Sequence, residues 1–96
     1  MLGVVAVNFV RKECIEEFKK TAAELVAETK KEAGCVAYDL FQEAECGQRL
    51  AFIECWESKE HLDAHFKTPH FVKIVPLLKA MADPSGEGGA TVYNKC

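Results

Sequence analysis

The sequence predicts an α+β fold of the ferredoxin-like kind, β-α-β-β-α-β, with helices against one face of a four-stranded antiparallel sheet. Three observations carry that expectation. Residues 12–32 repeat their apolar positions every 3.6 residues, residues 36–43 and 50–57 change to a period of two, and a glycine-bearing turn joins those last two stretches. Helix and strand signals in that order make a split βαβ unit, and the 96 residues fit one domain, 1–96.

The first strand is expected from about Leu2 to Val10, a run too short to cross a bilayer that meets charge at Arg11-Lys12-Glu13. The helix that follows, about Lys12 to Glu32, gathers Ile15, Phe18, Ala22, Leu25, Val26 and Thr29 within about 100° of its circumference, with Gly34 as its stop. Glu16, Glu17, Lys20, Glu24, Lys30 and Lys31 form its solvated side. In the second strand, Val36 to Glu43, Tyr38, Leu40 and Gln42 alternate with Ala37, Asp39 and Phe41. The turn Glu45-Cys46-Gly47-Gln48 leads into a third strand, Leu50 to Glu57, which makes an antiparallel hairpin with the second.

Two short helices are expected next. Ser58 is placed to cap the first, and Thr68 followed by Pro69 starts the second, because proline at the first helical position lacks only an amide hydrogen that had no partner. Phe71, Ile74, Val75, Leu78 and Met81 line one side of that second helix, and Pro76 is expected to kink it. A loop through Asp83-Pro84-Ser85-Gly86-Glu87-Gly88-Gly89 precedes a last strand, Ala90 to Lys95. The first and third strands are apolar on both sides, whereas a sheet with one face in water alternates. Helices cover one face, so a second copy of the chain is expected to cover the other, which predicts a homodimer.

Composition excludes several classes. A formal charge of −3, a pI near 5.6 and scattered basic residues argue against a nucleic-acid binder. The N-terminus lacks a basic leader, and no membrane partner is expected, which places the protein in the cytoplasm. The cysteines, Cys14, Cys35, Cys46, Cys55 and Cys96, form an odd set with no C-x-x-C pair and read as reduced thiols. His61 and His65 stand four residues apart on one helix without H-E-x-x-H or a third ligand nearby in sequence, so no metal site is expected.

The candidate site lies between Leu50 and Phe71, where a tryptophan-ended strand meets three histidines. His65, beside Leu62 and Phe66, has an ordinary pKa near neutrality and suits a general base. His70 follows Pro69 and is a second candidate, with satisfaction of loop backbone as its structural alternative. Glu54 shares a strand face with Leu50, Phe52 and Trp56, where burial raises a carboxyl's pKa and fits it to accept a proton or to orient His65. Trp56 offers a flat wall for an aromatic ring or a core anchor, and Asn8 offers an amide to a substrate oxygen or to a strand end. Tyr38 is a further candidate for either job.

The blocks Glu32-Ala33-Gly34-Cys35-Val36-Ala37-Tyr38-Asp39-Leu40-Phe41, Phe52-Ile53-Glu54-Cys55-Trp56, Leu62-Asp63-Ala64-His65-Phe66 and Pro69-His70-Phe71 resemble, in order and spacing, the antibiotic biosynthesis monooxygenase domain family. That resemblance implies a dimeric α+β barrel with a small pocket in each protomer. It implies a monooxygenase that oxidises a quinol or polyphenol with molecular oxygen and no cofactor. Phe52, Trp56 and Phe66 would hold the ring, Asn8 would fix an oxygen, and His65 with Glu54 would move the proton. Other branches of the family imply two alternatives, an isomerase of a small phosphorylated signalling compound and a haem-binding or haem-degrading protein.

Overall fold

The computed structural model describes residues 1–96 and contains four strands and three α-helices: β1 (Leu2–Phe9), a 3-10 turn (Lys12–Cys14), α1 (Ile15–Thr29), β2 (Cys35–Gln42), β3 (Arg49–Trp56), α2 (Lys59–His65), α3 (Pro69–Lys79) and β4 (Gly89–Asn94). The strands form one antiparallel sheet in the order β2-β3-β1-β4. This is the α+β ferredoxin-like fold that the alternation of periods predicts. The first helix begins later than expected, because Lys12–Cys14 take the tighter 3-10 path before Ile15.

Register decides which side chains meet. Val4 pairs with Glu54 across β1 and β3, Ala6 with Phe52, and Tyr38 of β2 lies opposite Glu54 from the other side. These residues, with Leu2, Leu40, Leu50 and Trp56, therefore share the helix-facing side of the sheet. Phe18, Ala22, Leu25 and Thr29 of α1 are buried against them, as are Leu62, Ile74 and Leu78 of α2 and α3. The opposite side of the sheet carries Phe41, Ile53 and Tyr93, which are 52, 44 and 56 % exposed.

Local chemistry fixes the ends of the elements around α2 and α3. Ser58 Oγ accepts the His61 amide hydrogen at 3.3 Å, and Thr68 Oγ1 accepts that of Phe71 at 3.3 Å. Thr68 also donates to the His65 carbonyl at 2.8 Å, so a single hydroxyl ties the end of α2 to the start of α3. Pro76 lies within α3, which continues to Lys79, and Ala80 still donates to the Pro76 carbonyl at 3.1 Å. Gly34 has φ of 80°, and a Cβ there would meet the His61 ring, so the turn after α1 closes against α2 only with glycine. That turn carries Glu32, whose amide donates to the Thr29 carbonyl at 3.0 Å.

Candidate active site

A cavity of about 490 Å³ opens between the sheet and α3. Its walls follow β1 from Val4 to Phe9, continue to Val10, and run along α3 from Phe71 to Lys79. Fifteen of its 23 lining residues are apolar, so the few polar groups set its chemistry. On the deep wall these are Tyr38, Glu54 and His65, all buried. The rim runs past Phe66, Val92, Ala90 and Gly88, all exposed.

His65 is 1 % exposed, deeper than its place beside the apolar stripe of α2 suggests in the sequence. Its ring packs on Trp56 at 4.8 Å between centroids, on Phe71 at 5.0 Å and on Tyr38 at 5.4 Å. Its Nδ1 lies 2.8 Å from Glu32 Oε2, and the same oxygen lies 2.6 Å from His70 Nε2. A Glu32 carboxylate can accept from both imidazoles, and a proton on His65 Nδ1 leaves its Nε2 bare. Burial pushes the His65 pKa below its ordinary value, against the hydrogen bond and charge of Glu32, so the ring is a neutral base.

Glu54 does not orient His65. Its Oε1 accepts the Trp56 indole hydrogen at 2.9 Å, since the two side chains project from the same face of β3 two residues apart. Burial raises the Glu54 pKa from 4.5 to about 7, with the Trp56 hydrogen bond opposing and the charge of Glu32 adding to the rise. Burial also pushes the Tyr38 phenol up, which keeps it a hydrogen-bond donor. Thr29 Oγ1 is the one side-chain polar atom sealed from solvent without a partner. The Tyr38 hydroxyl, Glu54 Oε2 and His65 Nε2 make no bond within the chain either, and so they open onto the cavity that their side chains line.

The other expected site residues divide. Phe52, Phe66 and Asn8 line the cavity, Asn8 with its amide also on the Ala6 carbonyl at 3.3 Å. Trp56 does not line it. The indole is fully buried beneath His65 and Glu54 and acts through both, so its flat face is not open to a substrate ring. His70 also stands outside the lining; its hydrogen bond to the site is to Glu32, and its ring lies 6.3 Å from that of His65 between centroids. Glu32 was not among the expected site residues. Its partners are 33 and 38 residues away in sequence, and in the chain it reads as one more charge at a helix end.

A metal ion was not expected from the His61 and His65 spacing, and His61 in fact turns its Nδ1 to Ser58 Oγ at 2.7 Å. Glu32, His65 and His70 nonetheless offer three ligand atoms within 4.8 Å of one another. A metal on His65 Nδ1 would force that ring's proton onto Nε2. The trio can therefore hold a metal behind the ring or present a bare nitrogen in front of it, but not both.

Residues 1–77 match the family described as antibiotic biosynthesis monooxygenase. A solved structure of a conserved protein from Methanosarcina mazei Go1 is 37% identical, covering 99% of this chain and 92% of that one, with a TM-score of 0.93. A structure described as an antibiotic biosynthesis monooxygenase is 34% identical over 100% of this chain and 99% of its own, with a TM-score of 0.91. The Synechocystis protein sll1783 is 32% identical over 73 residues, 75% of this chain. The chain spans about half the length of the curated relatives it matches. By sequence match and by the superposition of its fold, the chain belongs to the antibiotic biosynthesis monooxygenase family.

Proposed function

We propose that the protein is a cofactor-independent monooxygenase that oxidises a small quinol or polyphenol with molecular oxygen, and that it works as a homodimer. The observation that carries this reading is the trio of unpaired polar atoms, Tyr38 Oη, Glu54 Oε2 and His65 Nε2, on the buried wall of an otherwise apolar cavity. A flat apolar molecule with ring hydroxyls satisfies such a wall, whereas a ligand that expelled water and left those atoms unpaired would cost about 1–3 kcal/mol each.

In this reading His65 Nε2 takes a phenolic proton, and a second ring oxygen meets Tyr38 and Glu54. The resulting phenolate passes an electron to oxygen, and the radical pair joins as a ring carbon–oxygen bond. The His65 imidazolium returns the phenolic proton to the peroxide, whose O–O bond then breaks, one oxygen staying on the ring as a carbonyl and the other leaving as water with that proton and the carbon's hydrogen. The ring supplies all the electrons that oxygen accepts, so no separate reductant is required. The residues supply the proton transfer and hold the ring, and a positioned base gives about 10²–10⁴-fold.

Oxygen uptake with dihydroxynaphthalene-type substrates tests the reading. His65→Ala is expected to lower the rate about 10²–10⁴-fold. Equal rates would remove His65 from the mechanism, and turnover that persists without oxygen would favour an isomerase. Against the isomerase, Lys79 on the rim is the one lysine or arginine lining the cavity, and a phosphorylated substrate calls for a fuller cationic clamp.

A further inference from the structure

Three elements converge on one oxygen atom. Glu32 comes from the turn after α1, His65 from the last turn of α2 and His70 from the first turn of α3, and both imidazoles meet Glu32 Oε2. Neither Glu32 nor His70 lines the cavity, and their side chains are 13 and 16 % exposed.

We propose that Glu32 is a positioning residue: by accepting the Nδ1 proton of His65 it holds that imidazole in the tautomer whose Nε2 faces the cavity bare, while His70 clamps the same oxygen from the other side. The proposal deepens the reading of His65 as the base and affects turnover only through it.

The backbone holds Glu32 in place for this task. Its amide donates to the Thr29 carbonyl, its carbonyl accepts from Cys35 at 3.3 Å, and Gly34 lets the turn press against α2. The His65 end is held equally, by Thr68 on its carbonyl and by the rings of Trp56 and Phe71 on its faces. The titratable groups around His65 are Glu32 from the α1–β2 turn, Tyr38 from β2, Glu54 from β3 and His70 from α3. Glu32 alone of these bonds the ring, so it alone decides which nitrogen carries the proton. When Nε2 takes a substrate proton, the new imidazolium already has a carboxylate oxygen 2.8 Å from its other N–H.

Nitrogen-15 NMR of the histidine side chains reads the tautomer directly, without turnover. In the wild-type protein His65 is expected with a protonated Nδ1 and a pyridine-like Nε2. Glu32→Ala is expected to move the proton to Nε2. Glu32→Gln keeps an acceptor but removes the charge, and is expected to lower the His65 pKa by about 1–3 units, the size of an adjacent opposite charge. Glu32→Asp should recover part of that loss. A wild-type His65 protonated on Nε2 would overturn the proposal, and so would an unchanged His65 pKa in Glu32→Gln. Zinc that co-purifies with the wild-type protein and is lost in His70→Asn would overturn it as well. Should Glu32→Ala fail to fold, the wild-type tautomer and the Gln variant still decide. Tautomer and pKa changes as expected, with oxygen uptake indifferent to His65→Ala, would leave the positioning role standing and remove the monooxygenase base.

Discussion

Trp56 donates its indole hydrogen to Glu54 Oε1 at 2.9 Å, from two positions along the same strand face, and both side chains are buried beneath the helices. The bond pulls the Glu54 pKa down while burial pushes it up, and burial wins. A carboxyl held at about pH 7 makes stability depend on pH in a specific direction.

Glu54→Gln tests that direction. The native carboxyl holds its proton from its ordinary 4.5 up to about 7, so across that window the folded state binds more protons than the unfolded one, and stability falls as pH rises. The glutamine still accepts the indole hydrogen and carries no charge. The variant is expected to match wild type near pH 4 and to exceed it above pH 7 by up to about 3 kcal/mol. Urea titrations at both pH values check this, and a stability difference that does not change with pH would refute it.

Trp56→Phe removes the donor and leaves a cavity beside His65. We expect a destabilisation of about 2–4 kcal/mol and a further rise in the Glu54 pKa, because the bond that opposed burial is gone. Infrared titration of the carboxyl band would show the rise. A pKa at or below the wild-type value would contradict the account of Glu54.

Tyr38→Phe removes one of the three atoms open to the cavity and keeps the ring packed on Phe52, at 5.3 Å, and on His65. Stability should change by less than about 1 kcal/mol, while substrate binding weakens by roughly 1–2 kcal/mol, near tenfold in KM. A large loss of stability with unchanged KM would assign the hydroxyl to folding instead.

Ile53→Asp places a charge on a central strand of the outer sheet face, the face that also carries Phe41 on the adjacent β2 and Tyr93 on β4. If two copies bury that face together, light scattering should show a wild-type dimer and a variant shifted to monomer. A wild-type monomer at micromolar concentration would refute the expected pairing.

The sequence announces faces more readily than depths. Period two put Tyr38 with Leu40 and Gln42 on one face of its strand and Glu54 with Leu50, Phe52 and Trp56 on one face of theirs, and those are the faces the helices cover. It could not say where along that face the helices sit, so Trp56 stayed open between pocket wall and core anchor, and it is the buried floor beneath the site. Glu32 was illegible for a different reason. A glutamate near a helix end looks the same in a sequence whether it faces water or two imidazoles, and only the packing of α1, α2 and α3 distinguishes the cases.

The loop after α3 has a consequence of its own. Gly86 lies so close to Phe9, and Gly88 to the Val7 carbonyl, that a Cβ at either position would collide. Phe66 and Lys79 apart, this threshold is built on the loop and β4, whereas Tyr38, Glu54 and His65 stand on β2, β3 and α2. Admission and reaction thus belong to different parts of the chain, and remodelling residues 86–92 should retune which guests enter while sparing the chemistry that greets them.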